Sequence, residues 1–294
     1  MNRNYAPVLV LLAGILWGTL GFFSRHLTAA GFGPFEITFV RVSISLLATA
    51  IPVVLFAREL LYVRLRDLWC FLGTGVVSVL LFSVCYFKGL ELTSLAVATV
   101  LLYTAPLFVV LLSALIFHDP ITKKKMAALA LAFVGYALVT GTGGDQPLPL
   151  RGFLCCLASG FFYSLYSVFG KLAMQRGYSA LTLTLYSFFF CTLGSVIMVD
   201  WNHICGIVQR DSQIIWWILG TGFITAFFPY TLYSLGLSKM DAGKASILVS
   251  IELVAEAVFG SIVFHESLTT ASVVGIALVL SAIIVLNLRR SKLK

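Results

Sequence analysis

The chain has 294 residues, of which 60% are hydrophobic and only 11% are charged, and its formal net charge is +8. Soluble globular proteins carry roughly 25% charged residues, and a chain of this length cannot enclose so much apolar surface in its own core. The composition therefore excludes an ordinary soluble protein and indicates a membrane protein, with the lipid bilayer as a partner. It does not indicate nucleic-acid binding, because the basic residues lie in short clusters between apolar stretches.

Ten apolar segments are long enough to cross a membrane, since a spanning helix needs about 20 apolar residues. In chain order, we predict spans near residues 5–27, 34–57, 68–90, 93–117, 124–142, 150–173, 179–200, 213–236, 242–264 and 269–288. Short loops join these segments and leave no room for a soluble domain. The predicted fold is therefore an all-α membrane protein of ten transmembrane helices.

The basic residues predict the orientation of these spans. With the N-terminus in the cytoplasm, most lysines and arginines fall in cytoplasmic loops, whereas the outer side holds Arg25, Lys88, Arg151 and Arg210. Because short cytoplasmic loops of membrane proteins are enriched in Lys and Arg, we expect both termini to be cytoplasmic. The predicted location is the cell membrane, inner or plasma, in which the protein is multi-pass.

The chain contains two copies of one unit of five spans. Residues Phe117–Thr122 at the end of the fourth span resemble Phe264–Thr269 at the end of the ninth. Lys123–Lys125 follow the first copy, whereas no lysine or arginine follows the second before Arg289, so equivalent turns are expected on opposite sides of the membrane. We predict a first repeat over 1–142, a second, inverted repeat over 150–290, and a short basic cytoplasmic tail at 291–294.

Inverted repeats are typical of secondary transporters, because two inverted halves can exchange conformations and open a central site to either side. A duplication that only built a stable helix bundle is the structural alternative. The repeat therefore favours transport through a central cavity, without deciding it.

Three ionisable residues lie deep within predicted spans, where each costs roughly 3 kcal/mol or more on insertion scales. Glu252 and Glu256 are one turn apart in the ninth span and share a helix face, so both are candidates for proton coupling, and Glu252 also for substrate binding. Arg41 in the second span is a candidate for binding a substrate carboxylate. It could equally form a buried salt bridge with one of the two glutamates.

Aromatic residues within the spans complete the predicted site. Buried tyrosines need partners for their hydroxyl groups and therefore tend to face polar interiors, although core packing explains any single one as well. The candidate substrate-binding residues are Trp17, Arg41, Tyr86, Tyr103, Tyr163, Tyr166, Tyr230, Tyr233 and Glu252.

Several of these residues belong to motifs that resemble the EamA family of the drug/metabolite transporter superfamily. The motifs are Trp17–Gly18, Arg41, Gly89–Ser94, Pro106 and Ile251–Glu252. The resemblance covers most of the chain and implies ten helices around a central cavity that works by alternating access. Leu253 stands where a proline commonly follows the glutamate in that family, so a helix break there is left open.

The expected function is secondary transport of a small organic metabolite, an amino acid or similar polar solute, in the direction of export. One alternative is an exporter of lipophilic cations or drugs; a channel or an intramembrane enzyme are alternatives of another class. We expect that the protein is not an enzyme and binds no cofactor, because the chain has no HExxH, GxSxG or nucleotide-binding motif. We expect no metal site, because the six cysteines lack metal-ligand spacing. Protons are a candidate coupling ion, and the protein is expected to be a monomer or a homodimer.

Overall fold

The computed structural model describes residues 5–93, 95–140, 149–265 and 269–287, and these contain helices and no strand. The first half contains α1 (Ala6–Trp17), α2 (Leu20–Ala29), α3 (Pro34–Phe56), α4 (Leu68–Leu72), α5 (Leu81–Leu92), α6 (Leu95–Leu102), α7 (Ala105–Phe117) and α8 (Lys123–Thr140). The second half contains α9 (Leu150–Gln175), α10 (Ala180–Ser195), α11 (Trp201–Arg210), α12 (Ile214–Gly222), α13 (Phe228–Leu237), α14 (Ala242–Leu248), α15 (Ile251–Phe264) and α16 (Thr270–Asn287).

Eight helical stretches of the described residues are long and apolar enough to cross a membrane. They are Ala6–Ala29, Pro34–Phe56, Leu65–Leu92, Val97–Phe117, Leu150–Gln175, Ala180–Met198, Ile214–Leu237 and Ala242–Phe264. The fifth and tenth predicted spans correspond to α8, which begins with three lysines, and α16. The all-α membrane class is therefore confirmed, whereas a bilayer crossing by all ten segments stays a prediction.

The third and eighth predicted spans each contain a π-helical segment, Gly73–Leu80 and Phe223–Phe227. Pro229 follows the second of them within the first turn of α13. Proline lacks the backbone N–H that a continuous α-helix needs, so a change of helix type just before it is expected. Short π segments inside α-helices occur mostly near functional sites, and these two lie at corresponding places in the two halves.

The fourth and ninth predicted spans are each broken in the middle. The fourth is interrupted at Tyr103–Thr104, where Pro106 lies in the first turn of the next helix, and the ninth at Val249–Ser250. The second break needs no proline, because the Ser250 N–H donates to the carbonyl of Ile247 at 3.2 Å and the chain passes through a tight turn instead of a regular helical one. The leucine at 253 thus does not prevent a break.

Both broken helices also end alike. His118 and His265 cap them in the left-handed conformation, with φ of 56° and 54°. Left-handed residues at helix ends satisfy the last carbonyl groups, and a residue other than glycine there is uncommon. The same unusual cap in each half is a structural counterpart of the two matching sequence segments.

The helix packing has the same two-part pattern. The third span packs on the sixth through α5 and α9, and the eighth packs on the first through α13 and α1. The largest contact between described helices joins α8 to α16. There Gly135 and Gly275 bring the backbones together: a Cβ added to either would lie 2.7 or 2.6 Å from the carbonyl oxygen of the other. Small residues are what permit such close helix approach in membranes.

The two halves differ in the shape of their first spans. The first span is divided into α1 and α2 by a turn at Gly18–Thr19, whereas the sixth is the continuous helix α9. The Thr19 hydroxyl donates to the carbonyl of Leu16 at 2.7 Å within this turn. Serine and threonine bonds to the preceding turn often bend helices, so the bend is confined to the half that carries this glycine–threonine pair.

A helix also occupies the loop between the seventh and eighth predicted spans, where we had expected only a polar connection. Asp200 caps α11 by accepting hydrogen bonds from the backbone N–H groups of Asn202 and His203 at 3.0 and 3.2 Å. Ile204 and Ile207 are buried against the end of the first span and the start of the second. This helix has 10 residues, whereas a search for membrane spans looks for apolar segments of about 20 residues and therefore does not detect it.

Candidate functional site

A cavity of about 1150 Å³ lies inside the helix bundle. Its walls come mainly from the first, second, third, fourth, sixth, eighth and ninth spans, and Val139 of α8 and Ser272 of α16 also line it. All ten residues that the sequence singled out lie on these walls: Trp17, Arg41, Tyr86, Tyr103, Tyr163, Tyr166, Tyr230, Tyr233, Glu252 and Glu256. The fold therefore brings together the residues that were chosen one by one, and their roles stay proposals.

The cavity reaches one end of the bundle, which we call the mouth end and define by Arg25 and Phe264. The Arg25 guanidinium lies over the Phe264 ring, 4.2 Å from its centroid. None of residues 58–72, 110–125 or 234–245 lines the cavity, and these segments lie at the opposite end, which we call the closed end. In the described part of the chain, the cavity thus opens towards the mouth end.

Four aromatic residues form the floor of the cavity towards the closed end. The Trp17 ring meets the rings of Tyr230 and Tyr233, with centroids 5.0 and 5.6 Å apart, and Tyr166 meets Tyr230 at 5.0 Å. All four are at most 7% exposed. Edge-to-face contacts of this kind stabilise beyond the buried area alone, so the floor is a packed aromatic layer.

Two tyrosine hydroxyl groups of this floor form hydrogen bonds with other residues of the protein. The Tyr166 hydroxyl is 3.0 Å from Ser234 Oγ, and the Tyr233 hydroxyl is 2.7 Å from Ser167 Oγ. Both pairs join α9 to α13, and a buried hydroxyl that has a partner does not need a substrate. Tyr166 and Tyr233 therefore shape the floor, which favours the core-packing alternative for these two.

Arg41 lies on the cavity wall in a different state. Arg41 is only 7% exposed, and its Nε atom is buried without a hydrogen-bond partner. No carboxylate of the described residues lies within salt-bridge distance of it. A salt bridge of Arg41 to Glu252 or Glu256, which the sequence left open, is therefore absent from the described structure.

The helix around Arg41 is held firmly. The hydroxyl of Ser45 donates to the carbonyl of Arg41 and to the carbonyl of Gly222, each at 2.8 Å, which ties α3 to the eighth span. Buried donors without partners are rare in folded proteins and ask for an explanation. A guanidinium that projects from a firmly held helix onto a cavity wall is well placed to receive an acceptor group from a ligand.

Glu252 lies in the first turn of α15, just after the break at Val249–Ser250. The Tyr163 side chain lies close to its carboxylate. Glu256, one turn further, is exposed and also lines the cavity. The expected shared face of the two glutamates is thus confirmed, and that face borders the cavity.

Glycines of the first span hold this pair in place. A Cβ added to Gly18 would lie 2.8 Å from the carbonyl oxygen of Glu252 and 2.9 Å from the backbone nitrogen of Glu256. A Cβ on Gly14 would lie 2.8 Å from the carbonyl oxygen of Val249. Only residues without a side chain allow α1 to approach the broken helix so closely.

The remaining tyrosines form the side walls. Tyr103 lies at the break of the fourth span and stacks on Tyr136, with ring centroids 4.5 Å apart. Tyr86 lies near Thr99, and the Tyr163 ring meets the ring of Phe82 with centroids 5.3 Å apart. The three residues are partly exposed, which distinguishes them from the buried floor.

Sequence reasoning did not single out the small hydroxyl residues of the cavity, among them Ser78, Ser83, Thr99, Ser246 and Ser250. It counted Arg25 only as an outer-side charge, although this residue lines the cavity. The presence of the hydroxyl residues within apolar spans was the only available signal. It is weak, because serine in a helix commonly bonds its own backbone, as the Ser83 hydroxyl does to the carbonyl of Val79 at 2.9 Å.

Ionic contacts hold the closed end together. Lys125 Nζ is 2.6 Å from Asp241 Oδ2, and Lys171 Nζ donates to the carbonyls of Leu237 and Met240 at 3.1 and 2.7 Å. Burial and the neighbouring Asp241 carboxylate raise the pKa of Asp119 in the loop before α8. These contacts join the fifth, sixth and ninth spans at the end where the cavity does not open.

Metal chemistry has no visible support in the described ranges. Residues 5–93, 95–140, 149–265 and 269–287 contain no group of three or more His, Cys, Asp or Glu side chains that could hold a metal ion. The ionisable residues of the cavity are two glutamates and two arginines, Arg25, Arg41, Glu252 and Glu256. This set suits the binding of a charged or zwitterionic organic solute.

Several known proteins resemble the chain, and some of them do so over nearly its whole length. Two proteins of Archaeoglobus fulgidus, both named uncharacterized transporter, are 27% and 26% identical to it over 96% of this chain and over 96% and 99% of their own lengths. A probable amino-acid metabolite efflux pump of Salmonella typhimurium is 22% identical over 63% of this chain and 65% of its own. One solved crystal structure shares the fold, with a TM-score of 0.78, 19% identity and 97% coverage of each chain.

The family assignment follows from two matches within the chain. The EamA-like transporter family matches residues 4–141 and again residues 150–288. Together these ranges cover almost the entire sequence, and they contain every residue of the cavity walls. The chain belongs to the EamA-like transporter family.

Proposed function

We propose that the chain is a secondary transporter that moves an amino acid or a similar polar organic solute across the cell membrane. The observation that carries this proposal is Arg41, a buried guanidinium on the cavity wall that has no carboxylate partner among the described residues. An arginine fork binds a carboxylate through two parallel hydrogen bonds. A substrate carboxylate would supply the acceptor that the protein does not.

The opposite charge in the cavity completes the match to a zwitterion. Glu252 and Glu256 border the same cavity as Arg41 and offer carboxylates to a substrate ammonium group. A solute with both groups would satisfy both walls, whereas a solute with one would leave a charged group of the cavity without a partner from the substrate. The name of the Salmonella relative, an amino-acid metabolite efflux pump, agrees with this class and with export.

Alternating access between two inverted repeats is the mechanism we propose. It is supported by the paired features of the halves, which are the two π segments, the two broken helices and the two left-handed histidines, and by the double family match. The described conformation, open at the mouth end and held by ion pairs at the other, would be one of the two access states. The repeats would comprise residues 1–142 and 150–290.

The inverted arrangement predicts opposite locations for two equivalent turns. In a Cys205→Ser background, which removes the exposed thiol, a cysteine replacing Lys124 should react with a membrane-impermeant maleimide only from the cytoplasm. A cysteine replacing Thr270 should react only from outside, and permeabilised cells should label both. Labelling of both positions from the same side would contradict the inverted repeat.

Proton coupling is the driving force we propose, with Glu252 as its principal carrier. A carboxylate within a span is costly when charged, so it can bind a proton in one access state and release it in the other. Glu256 is more exposed and is the second candidate. The direction of transport then follows the prevailing gradients, and we expect export.

Lipophilic cations are the second candidate class. The two glutamates and the aromatic floor around Trp17 would suit them, because aromatic faces attract organic cations. Such a substrate would have no use for Arg41, which would then repel it. The effect of Arg41 on binding therefore distinguishes amino acids from lipophilic cations.

A ligand panel on the purified protein tests the proposed substrate class. Ligands that bind the folded state raise the unfolding temperature in proportion to the logarithm of concentration over the dissociation constant, so weak binders become visible at high concentration. We expect amino acids to raise it, and their decarboxylated amines to raise it far less. Stabilisation by lipophilic cations, with none by amino acids, would reject the proposed class.

A further inference from the structure

A second, polar cleft lies at the closed end of the bundle, away from the transport cavity. It has a volume of about 400 Å³ and is lined by Arg64, Arg66, Asp67, Trp69 and Arg176. The first four residues belong to the connection between α3 and α4 and to α4 itself, and the last follows α9. No residue of this cleft lines the transport cavity.

The charges of this cleft do not balance. Asp67 is buried, accepts the Tyr178 hydroxyl at 2.8 Å and pairs with Arg176 Nε at 3.1 Å, so its two carboxylate oxygens are both engaged. Arg64 and Arg66 are exposed, and no carboxylate of the described residues lies within salt-bridge distance of either. Three guanidinium groups therefore face one carboxylate, which leaves the cleft positively charged.

The connection that carries these arginines is fixed rather than loose. The hydroxyls of Thr182 and Tyr186 donate to the carbonyls of Leu60 and Leu61 at 3.0 and 2.7 Å. The Tyr178 hydroxyl also accepts the backbone N–H of Arg64 at 3.1 Å. The backbone beside Arg64 is thus held against α10 and the end of α9, so less ordering is needed when an anion binds.

The surroundings of the cleft indicate the level of the membrane surface. Leu65 and Trp69 are 85% and 42% exposed, and the Arg176 guanidinium lies over the Trp69 ring at 4.8 Å from its centroid. Exposed apolar side chains beside an interfacial tryptophan are typical of a surface that contacts lipid. Arginine forks match the geometry of phosphate oxygens better than lysine does.

We propose that this cleft binds a phosphate group, carried either by an anionic phospholipid of the adjacent leaflet or by a soluble phosphate compound. Arg64 and Arg66 would contact the phosphate oxygens, while the Asp67–Arg176 pair holds the wall of the cleft. The exposed apolar side chains of Leu65 and Trp69 favour the phospholipid, because its acyl chains would lie against them. Clusters of basic residues beside membrane helices commonly recognise anionic lipid headgroups.

The test measures thermal unfolding of the purified full chain in a neutral detergent with three added probes at equal ionic strength. The probes are a short-chain phosphatidylglycerol, a short-chain phosphatidylcholine and inorganic phosphate. Phosphatidylglycerol should stabilise the protein and phosphatidylcholine should not. If inorganic phosphate stabilises it equally, the source is a soluble phosphate; if only phosphatidylglycerol does, the source is the lipid.

Variants assign the effect to the cleft. Arg64→Gln with Arg66→Gln should weaken the apparent affinity by roughly tenfold or more, since each fork makes charge-assisted hydrogen bonds. Arg64→Lys with Arg66→Lys keeps the positive charges but not the guanidinium forks, and this pair should recover only part of the affinity. The control Arg58→Gln with Lys123→Gln removes two exposed charges outside the cleft and should bind normally.

Two outcomes would overturn the proposal. One is that neither phosphatidylglycerol nor phosphate shifts the unfolding temperature of the unmodified protein. The other is that the glutamine pair at 64 and 66 retains the shift, or that the control pair loses it equally, since the effect would then reflect net charge rather than this cleft.

Discussion

Replacing Arg41 with glutamine is expected to weaken binding and uptake of an amino-acid substrate by roughly a hundredfold or more. Removing one partner of a buried, hydrogen-bonded charge pair costs about 2–5 kcal/mol, which corresponds to such a factor. The loss should be largest for substrates with a free carboxylate and small for their decarboxylated amines. Affinity from thermal stabilisation and initial uptake rates in liposomes measure it.

The stability of the protein should change little in the same variant. The guanidinium has no carboxylate partner among the described residues, so its removal strands no buried carboxylate. Arg41→Lys keeps the charge but loses the fork and should recover part of the affinity. Arg58→Gln, an exposed change outside the cavity, is the matched control. Normal affinity in a folded Arg41→Gln protein would contradict a role in substrate binding.

Glu252→Gln is expected to abolish uptake driven by a pH gradient while leaving substrate exchange. Glutamine has nearly the same shape but cannot release a proton, so a transport step that depends on that release stops. Exchange of substrate on both sides at equal pH needs only substrate binding and the change of access. We expect at least a tenfold loss of gradient-driven uptake, measured in liposomes beside exchange.

Glu256→Gln and Glu91→Gln complete this series. Glu256 is more exposed than Glu252 and is expected to give the smaller effect, whereas Glu91 is exposed, pairs with Lys88 and does not line the cavity. Glu91→Gln should therefore behave as the unmodified protein. Unchanged proton dependence in both Glu252→Gln and Glu256→Gln would reduce these residues to structural ones.

The parts of the fold that the sequence predicts best are those that the lipid bilayer imposes on the chain. Apolar segments of about 20 residues are required by the thickness of the bilayer, and charged residues within them are costly enough to demand a function. For that reason the two glutamates and Arg41 could be chosen before the structure was known. The same logic favoured aromatic residues with polar ends, and they line the cavity as well.

Features that depend on contacts between distant segments could not be predicted. The turn at Val249–Ser250 contains no proline from which a break could be predicted, and it packs against Gly14 of the first span. The tyrosines divide into floor and side wall according to partners on other helices, such as Ser234 for Tyr166. That Arg41 pairs with no described carboxylate also follows from side-chain placement, which a span pattern does not contain.

The measurement that tests the central claim most directly is counterflow in liposomes that contain only this protein. Liposomes loaded with unlabelled amino acids are diluted into a trace of the labelled ones. We predict transient accumulation of label in liposomes with the unmodified protein and none with the Arg41→Gln variant. No accumulation of any amino acid by a folded protein that does accumulate lipophilic cations, or equal accumulation by the variant, would contradict the account.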